Sequence, residues 1–314
     1  MAGLTPGYDT ARRLENMAQP QNTIQEFQEA PLRISEWRRF RRVFFQRRIV
    51  IFGLAVLVLL VLTGIFAAFL APYSPYDQDM RGTLQQPNKA HLLGTDSLGR
   101  DTLSRLIYGT RTALAVGFIT VSIAALAGIM LGLTAGYFGG VINMIIMRVM
   151  DLLISFPMII LSLFIAALLG GGIQNVIIAL GISAVPGYAR VMHGLALSIR
   201  ENDYVMAERA MGSSNTRTML SHILPNALPP MIVLITLQLG SIILAEAGLS
   251  YLGIGIKPPG AAWGAMVNEG YRYLISNPML SFAPGVAIMM VVFAFNLVGD
   301  GLRDALDPRL RGTL

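Results

Sequence analysis

The chain has 314 residues, of which 54% are hydrophobic and only 13% are charged, and its formal net charge is +6 at pH 7. A soluble domain carries about 25% charged residues. This composition, with a mean hydropathy of +0.58, therefore excludes a protein whose whole surface faces water. The sequence also lacks cysteine, which excludes disulfides, thiolate metal sites and cysteine nucleophiles.

The N-terminal region, residues 1–48, is polar up to residue 36 and then predicts a basic amphipathic helix. Trp37, Phe40 and Phe44 are spaced for one helix face, and six arginines occupy most of the remaining positions. Such a helix lies on the surface of an anionic leaflet. The alternative is a set of positive charges that flank the first membrane span. Both interpretations place this region in the cytoplasm.

Five stretches without a charged side chain, each of 27 residues or more, follow this region. A transmembrane helix needs about 20 apolar residues, whereas strands of soluble proteins have only about 4–8. Glycines and prolines divide the longer stretches, so the pattern predicts an all-α polytopic membrane protein with six transmembrane helices. The predicted spans are residues 49–71, 112–134, 143–168, 173–199, 226–250 and 281–300.

Glycine and proline also predict where these spans bend or end. The glycines from Gly136 to Gly140 predict a turn after the second span. The glycine triplet at residues 170–172 predicts the end of the third, because each glycine inside a helix costs about 1 kcal/mol. Pro157 and Pro186 predict kinks in the third and fourth spans.

The distribution of positive charge predicts the orientation of the chain. With the N-terminus inside, the predicted inner regions hold 17 of the 24 Lys and Arg residues and the outer regions hold 7, as the positive-inside rule requires. The C-terminal tail, residues 304–314, is then cytoplasmic. Residues 72–111 and 251–280 face the outside. The core at residues 112–303 contains a cytoplasmic loop over 200–225.

Several chemical functions are missing from the sequence. The only lysines are Lys89 and Lys257, and neither lies between glycine and Ser or Thr, so no P-loop is present to bind ATP phosphates. The sequence predicts no catalytic residue, no cofactor bound by this chain and no metal site. Any energy for transport must come from another chain or from an ion gradient.

Four charged residues near or inside the predicted spans are candidates for a translocation path or for structural ion pairs: Arg148, Asp151, Arg190 and Glu246. Arg148 and Asp151 are three residues apart, so they can pair on one helix face. Because ionisable residues inside a membrane are often functional, a proton- or sodium-driven transporter that uses Asp151 or Glu246 stays an alternative. A membrane scaffold that transports nothing is a second alternative.

The loop over residues 200–225 predicts two helices separated by a glycine. The first helix, over about residues 203–211, ends at Gly212, and the second leads to Pro225. A rigid helix of this kind can seat in a groove of a partner, whereas the alternative is a plain turn that re-enters the membrane. The candidate coupling residues are Tyr204, Ala207, Glu208, Arg209, Gly212, Ser213, Leu224 and Pro225.

This loop resembles the "EAA" signature of ABC importer permeases. In that signature Glu-Ala-Ala is followed after three residues by glycine and, nine residues later, by Ile-x-Leu-Pro. Here residues 206–208 take the first positions, Gly212 takes the glycine position, and residues 222–225 close the motif. The matching residues are Ala207, Gly212, Leu224 and Pro225, and the departing residues are Met206, Glu208 and His222.

Seven further stretches, between about residues 40 and 312, are similar to the C-type permease of dipeptide, oligopeptide and nickel ABC importers. They are LGTDSLGRD (93–101), LGLTAGYFGG (131–140), MRVMD (147–151), SFP (155–157), LSYLG (249–253), PPGAAWG (258–264) and FNLVGDGLRDALDP (295–308). The resemblance implies a MetI-like ABC type I importer permease fold and a chain without catalytic chemistry.

The same resemblance implies partners and a location. They are a homologous second permease, two ATPase subunits that bind ATP and Mg²⁺, and an extracytoplasmic substrate-binding protein, all at the bacterial cytoplasmic membrane and without nucleic acid. Di- or oligopeptides are the implied substrates, with nickel or glutathione as alternatives. The candidates for facing the binding protein are Asp96, Arg100, Asp101 and Trp263.

Overall fold

The computed structural model describes residues 36–256 and 259–306, which are helical and contain no β-strand. The predicted polar tail at residues 1–35 and the C-terminal residues 307–314 lie outside the described residues, as do Lys257 and Pro258. A π-helical stretch, Thr218–Ile223, leads into α10. The α-helices are α1 (Glu36–Gln46), α2 (Arg48–Ile65), α3 (Ala67–Leu70), α4 (Thr102–Phe138), α5 (Gly140–Ile154), α6 (Met158–Leu169), α7 (Ile173–Arg200), α8 (Asp203–Ala210), α9 (Asn215–Arg217), α10 (Leu224–Tyr251), α11 (Trp263–Tyr271) and α12 (Met279–Leu306).

Within the described ranges, five helices are long and apolar enough to cross a membrane: α2, α4, α7, α10 and α12. Helices α5 and α6 together supply a sixth apolar segment, but they are bent by 90° relative to each other. The predicted all-α fold with six spans is therefore confirmed, with one broken span.

The broken span corrects the prediction of one kinked helix over residues 143–168. Pro157 immediately precedes α6 with a φ of −53°. Its ring has no N–H to continue the hydrogen-bond ladder of α5, and it disfavours a helical conformation at Phe156. Pro186, in contrast, lies inside α7, which continues without a break.

Helix α4 corrects the predicted bounds of the second span, residues 112–134. It has 37 residues, a length of about 55 Å, whereas the hydrocarbon core is only about 30 Å thick. The helix begins early because the Asp101 carboxylate accepts a hydrogen bond from the Ser104 amide at 2.7 Å, a typical N-cap. Gly136 lies inside this helix, and the turn begins at Gly139, which has a φ of +66°.

The centre of the molecule is the contact between α4 and α7. Gly128, Gly132 and Gly136 recur at every fourth position and place one face of α4 against α7. A Cβ atom added at Gly132 would lie 2.3 Å from the carbonyl oxygen of Ala189. The two backbones therefore approach as closely as glycine allows, in the small-residue packing typical of membrane helices.

The N-terminal helices pack along α12. A Cβ atom at Gly53 of α2 would lie 2.8 Å from the Cβ atom of Leu297, and Phe44 of α1 is buried in a cluster with Val50 and Val298. The predicted amphipathic helix is therefore formed. Its Phe44 side chain contacts protein rather than lipid, and the side chain of Trp37 lies outside the described residues.

Candidate functional site

Helix α8 and a tight glycine turn form the 200–225 loop. Gly212 has a φ of +85°, which is disfavoured for residues with a side chain. Its amide donates to the Arg209 carbonyl at 3.0 Å, and the Ser213 amide donates to the Glu208 carbonyl at 3.2 Å. The predicted helix and its end at Gly212 are confirmed.

The carboxylate of Glu208 ties the two sides of this turn together. The Ser213 hydroxyl donates to its Oε1 atom at 2.8 Å, and its Oε2 atom lies 2.7 Å from Nε2 of His222. The Glu208 side chain is only 14% exposed. Glu208 and His222, two of the residues that depart from the EAA signature, thus contact each other and stabilise the turn.

The loop is also attached to the end of α4. The Tyr137 hydroxyl donates to Oδ1 of Asn215 at 2.8 Å, and the Arg209 guanidinium lies 5.7 Å from the centre of the Tyr137 ring, within cation–π distance. One Arg200 nitrogen donates to the carbonyls of Gly136 and Tyr137, each at 3.1 Å. Direct contacts therefore connect α8 and the loop to the end of α4.

Three large apolar side chains of the loop are exposed. Tyr204 and Met206 are each 47% exposed and Met211 is 81% exposed, whereas Val205 is fully buried and anchors α8. Pro225 lies in the first turn of α10, so the loop passes directly into a spanning helix. Exposed apolar side chains on a rigid helix are suited to binding in a groove of a partner protein.

Residues 72–105 and 259–278 form a second polar region, which we call the cap. Its centre is a cluster of four charged side chains: Asp96, Arg100, Arg105 and Glu269. Arg100 Nε lies 2.7 Å from Asp96 Oδ2, and both arginines pair with Glu269 at 3.1–3.2 Å. Arg105 also pairs with Asp96. Two positive and two negative charges are thus balanced inside the fold.

Asp101 and Trp263 complete the cap. Asp101 accepts from the amide and the hydroxyl of Ser104, each at 2.7 Å, and lies 2.9 Å from Nδ1 of His91. The Trp263 indole donates to the carbonyl of Leu106 at 3.0 Å. These contacts join α11 to the start of α4.

The four residues of the cap that were expected to face a binding protein are buried. Asp96, Arg100 and Asp101 are each 3% exposed and Trp263 is 1% exposed, so their side chains are internal and offer no surface to a binding protein. A charge pattern in a polar segment does not show whether its members face water or one another. The role of the segment in facing a receptor stays a prediction.

The charged residues of the spans are arranged differently from the predicted pairing. Asp151 of α5 pairs with Arg190 of α7 at 2.5 Å instead of with Arg148 on its own helix. Both paired side chains are nearly half exposed, and Arg148 is exposed. Glu246 is 1% exposed and accepts a hydrogen bond from the Ser250 hydroxyl at 2.6 Å.

Within residues 36–256 and 259–306, no group of three or more His, Asp or Glu side chains is placed to bind a metal ion. Arg105 and Glu269 were not predicted from the sequence, because no spacing rule connects residues that are 164 positions apart. The packing role of Gly128 and Gly132 was not predicted either, although the four-residue spacing of glycines is a signal for it.

Comparisons with known proteins agree with this architecture. Residues 128–312 match the family described as "Binding-protein-dependent transport system inner membrane component". Residues 35–87 match "N-terminal TM domain of oligopeptide transport permease C". The dipeptide transport system permease protein DppC of Alkalihalophilus pseudofirmus is 41% identical over 88% of this chain and 91% of its own length. The glutathione transport system permease protein GsiD of Pectobacterium atrosepticum is 39% identical over 88% of this chain and 92% of its own length.

The fold resembles that of the MetNI methionine ABC transporter in its inward-facing conformations. Two of its crystal forms match with TM-scores of 0.53 and 0.54 at 22% and 23% sequence identity. The matches cover 65% of this chain and 96–97% of those chains. At this identity the likeness concerns the fold alone.

Proposed function

We propose that this chain forms half of the path through which an importer moves di- or oligopeptides. The chain belongs to the family of binding-protein-dependent transport system inner membrane components and to its dipeptide and oligopeptide C-type branch. The chain is an ABC permease subunit and a non-catalytic, multi-pass component of the membrane. The energy for transport therefore comes from other subunits.

The observation that best supports coupling to those subunits is the geometry of the 200–225 loop. The large side chains of Tyr204, Met206 and Met211 are exposed, and Glu208 and Gly212 fix the turn that follows α8. We place a groove of an ATPase subunit against these side chains. ATP and Mg²⁺ bind in the ATPase, and its closure displaces α8.

The displacement reaches the spans by two routes. One runs from Glu208 through His222 into α10, and the other from Arg209 and Asn215 through Tyr137 into α4. Because α4 and α7 contact along their glycine face, they move as one body. Alternating access then results from motion of this body relative to a homologous second permease.

The proposed orientation places the 200–225 loop and both termini in the cytoplasm and the cap outside. The excess of positive charge in the inner regions supports it. A substrate-binding protein docks on the cap through residues whose side chains are exposed. Those include Tyr76, Met80, Leu92 and Tyr271.

The substrate proposal follows the named transport of the relatives, which is of dipeptides in one case and of glutathione in the other. Glutathione is itself a small peptide, so it is the second candidate substrate.

Four charged residues remain candidates for lining the translocation path: Arg148, Asp151, Arg190 and Glu246. Of these, Arg148, Asp151 and Arg190 have side chains accessible enough to contact a passing molecule.

Reconstitution tests the proposal directly. The complete importer is placed in vesicles with ATP on the side of its ATPase subunits and the binding protein on the other side of the membrane. No ion gradient is applied. Uptake of labelled dipeptides, tripeptides and glutathione is then measured. Uptake that requires ATP supports the proposal, whereas uptake that appears only with a proton or sodium gradient contradicts it.

A charge reversal tests the coupling role of the loop. Glu208→Arg places a cation beside His222 and removes the acceptor for Ser213, so ATP hydrolysis should continue while peptide uptake falls about tenfold or more. Asp203→Arg is the matched control, because Asp203 is an exposed acidic residue in the first turn of the same helix. Normal uptake and normal stimulation of hydrolysis by the binding protein in Glu208→Arg would remove the loop from the mechanism.

A further inference from the structure

Two open grooves of similar size flank α2, and they differ in charge. The groove between α2 and α4 has a volume of about 360 Å³, which lies within the range of about 300–1,000 Å³ typical of small-molecule sites. Its lining is apolar except for one arginine. The main lining residues are Val61, Gly64, Ile65, Arg111, Leu114 and Phe118.

The arginine of this groove lies at the boundary of the hydrocarbon core. Helix α2 begins at Arg48, and Gly64 follows about 24 Å further along the helix axis, close to the thickness of the core. A Cβ atom at Gly64 would lie 3.5 Å from the Cα atom of Arg111. Arg111 also directly precedes the charge-free residues 112–147. Arg111 therefore lies at the cap-side edge of the apolar segments of α2 and α4.

Among residues 36–256 and 259–306, no carboxylate pairs with Arg111. Arg100 and Arg105, on the cap side of the same boundary, are both paired with carboxylates. Arg111, in contrast, is exposed. A cation beside an apolar groove at this edge complements a molecule with an anionic head and a hydrocarbon tail.

We propose that the α2–α4 groove is a binding site for one anionic phospholipid. The lipid phosphate pairs with Arg111, and one acyl chain lies along Val61, Ile65 and Phe118. Phe118 is fixed by an edge contact with Phe295 of α12, with ring centres 6.1 Å apart. The lipid thus joins three spanning helices, independently of the transported substrate.

The groove on the other side of α2, against α12, provides an internal control. It has a volume of about 340 Å³ and is lined by Phe52, Val56, Met289, Met290, Phe293 and Ala294. It has no charged residue, so it accepts acyl chains without preference for the headgroup. Only the Arg111 groove should distinguish an anionic from a zwitterionic lipid.

Native mass spectrometry of the complete importer in detergent tests this site. The delipidated complex is titrated with phosphatidylglycerol or phosphatidylcholine that carry the same acyl chains. Arg111→Gln should weaken the binding of phosphatidylglycerol about fivefold, the loss expected for one basic residue near a membrane surface, and should weaken that of phosphatidylcholine less, because the choline cation already balances the charge of its phosphate. Arg111→Lys should retain the preference, and Ala115→Phe, which fills the groove from an exposed position of α4, should remove the site for both lipids.

Arg272→Gln is the matched control, since Arg272 is an exposed arginine of the cap that lies outside the groove. Equal affinity for the two lipids in the unmodified complex would overturn the proposal, as would unchanged phosphatidylglycerol binding in Arg111→Gln. Loss of the second permease from the purified Arg111→Gln or Ala115→Phe complex, with lipid binding unchanged, would show that a protein helix occupies the groove and would also overturn it.

Discussion

The cap and the 200–225 loop are both polar regions that join spanning helices, but they place their charged and apolar side chains in opposite ways. In the cap, Asp96, Arg100 and Arg105 are nearly inaccessible and pair with one another. In the loop, the charged Arg209 is exposed and large apolar side chains such as Met211 face outward. Buried ion pairs hold the segments of the cap together, whereas the loop exposes large apolar side chains.

This difference indicates where stability and function reside. Buried ion pairs are costly to break, so substitutions in the centre of the cap should act on folding. Exposed apolar residues contribute little to the folded chain, so substitutions of those in the loop should act on partner binding. The following predictions test this contrast, from the largest expected effect on stability to the smallest.

Asp96→Ala should have the largest effect. It leaves the buried Arg100 and Arg105 without their closest carboxylate and removes the acceptor of the Leu98 amide. We expect a loss of about 3–5 kcal/mol, measured by thermal unfolding of the purified complex. Asp77→Ala, at an exposed position of the cap, is the control and should change stability by about 0.5 kcal/mol or less. Equal effects of the two substitutions would contradict a structural role for the cluster.

Gly132→Leu should have the second largest effect on stability, because it forces apart α4 and α7, the two helices that connect the cap with the loop. The new side chain would overlap the Ala189 carbonyl, and overpacking of this kind costs about 1–3 kcal/mol. Thermal unfolding measures the loss. Gly181→Ala on α7 is the control, since a Cβ atom there meets nothing within 4 Å. Similar melting temperatures for both variants would argue against close packing of α4 and α7.

Gly212→Pro should have an effect on stability no larger than that of Gly132→Leu and a larger effect on coupling. Proline fixes φ near −65°, whereas Gly212 has a φ of +85°, so the turn after α8 must rearrange. We expect a local cost of about 1–3 kcal/mol, with ATP hydrolysis retained and peptide uptake strongly reduced in vesicles. Asn tolerates this backbone conformation, so Gly212→Asn should keep most of the uptake. Equal uptake by the two variants would show that the turn geometry is unimportant.

The double substitution Tyr204→Ser and Met211→Ser should have the smallest effect on stability. Both side chains are exposed, so the free energy of unfolding should change by about 0.5 kcal/mol or less. The amount of ATPase subunit that co-purifies with the permease should nevertheless fall severalfold, because the apolar contact is lost. Undiminished co-purification would place the ATPase contact elsewhere on the chain.

Features that depend on a short stretch of sequence were predicted well. The lengths of the apolar stretches gave the number of spans, and the position of Gly212 gave the end of α8. The failures involve partners distant in sequence. Asp151 pairs with Arg190, 39 residues away, and Glu269 joins Arg100 from 169 residues away. The break at Pro157 was underestimated as a kink: Pro157 ends its helix, whereas Pro186 lies inside a continuous one.

The sequence by itself determined that this chain spans a membrane several times, contains no P-loop and has a helix–glycine turn with the spacing of a permease coupling loop. Each of these follows from local chemistry, namely the apolar length needed to cross hydrocarbon and the backbone freedom of glycine. Only the tertiary structure decided that Asp96, Arg100, Asp101 and Trp263 are buried and that Arg111 faces a groove. Burial depends on which helices come together, and one-dimensional spacing does not specify that.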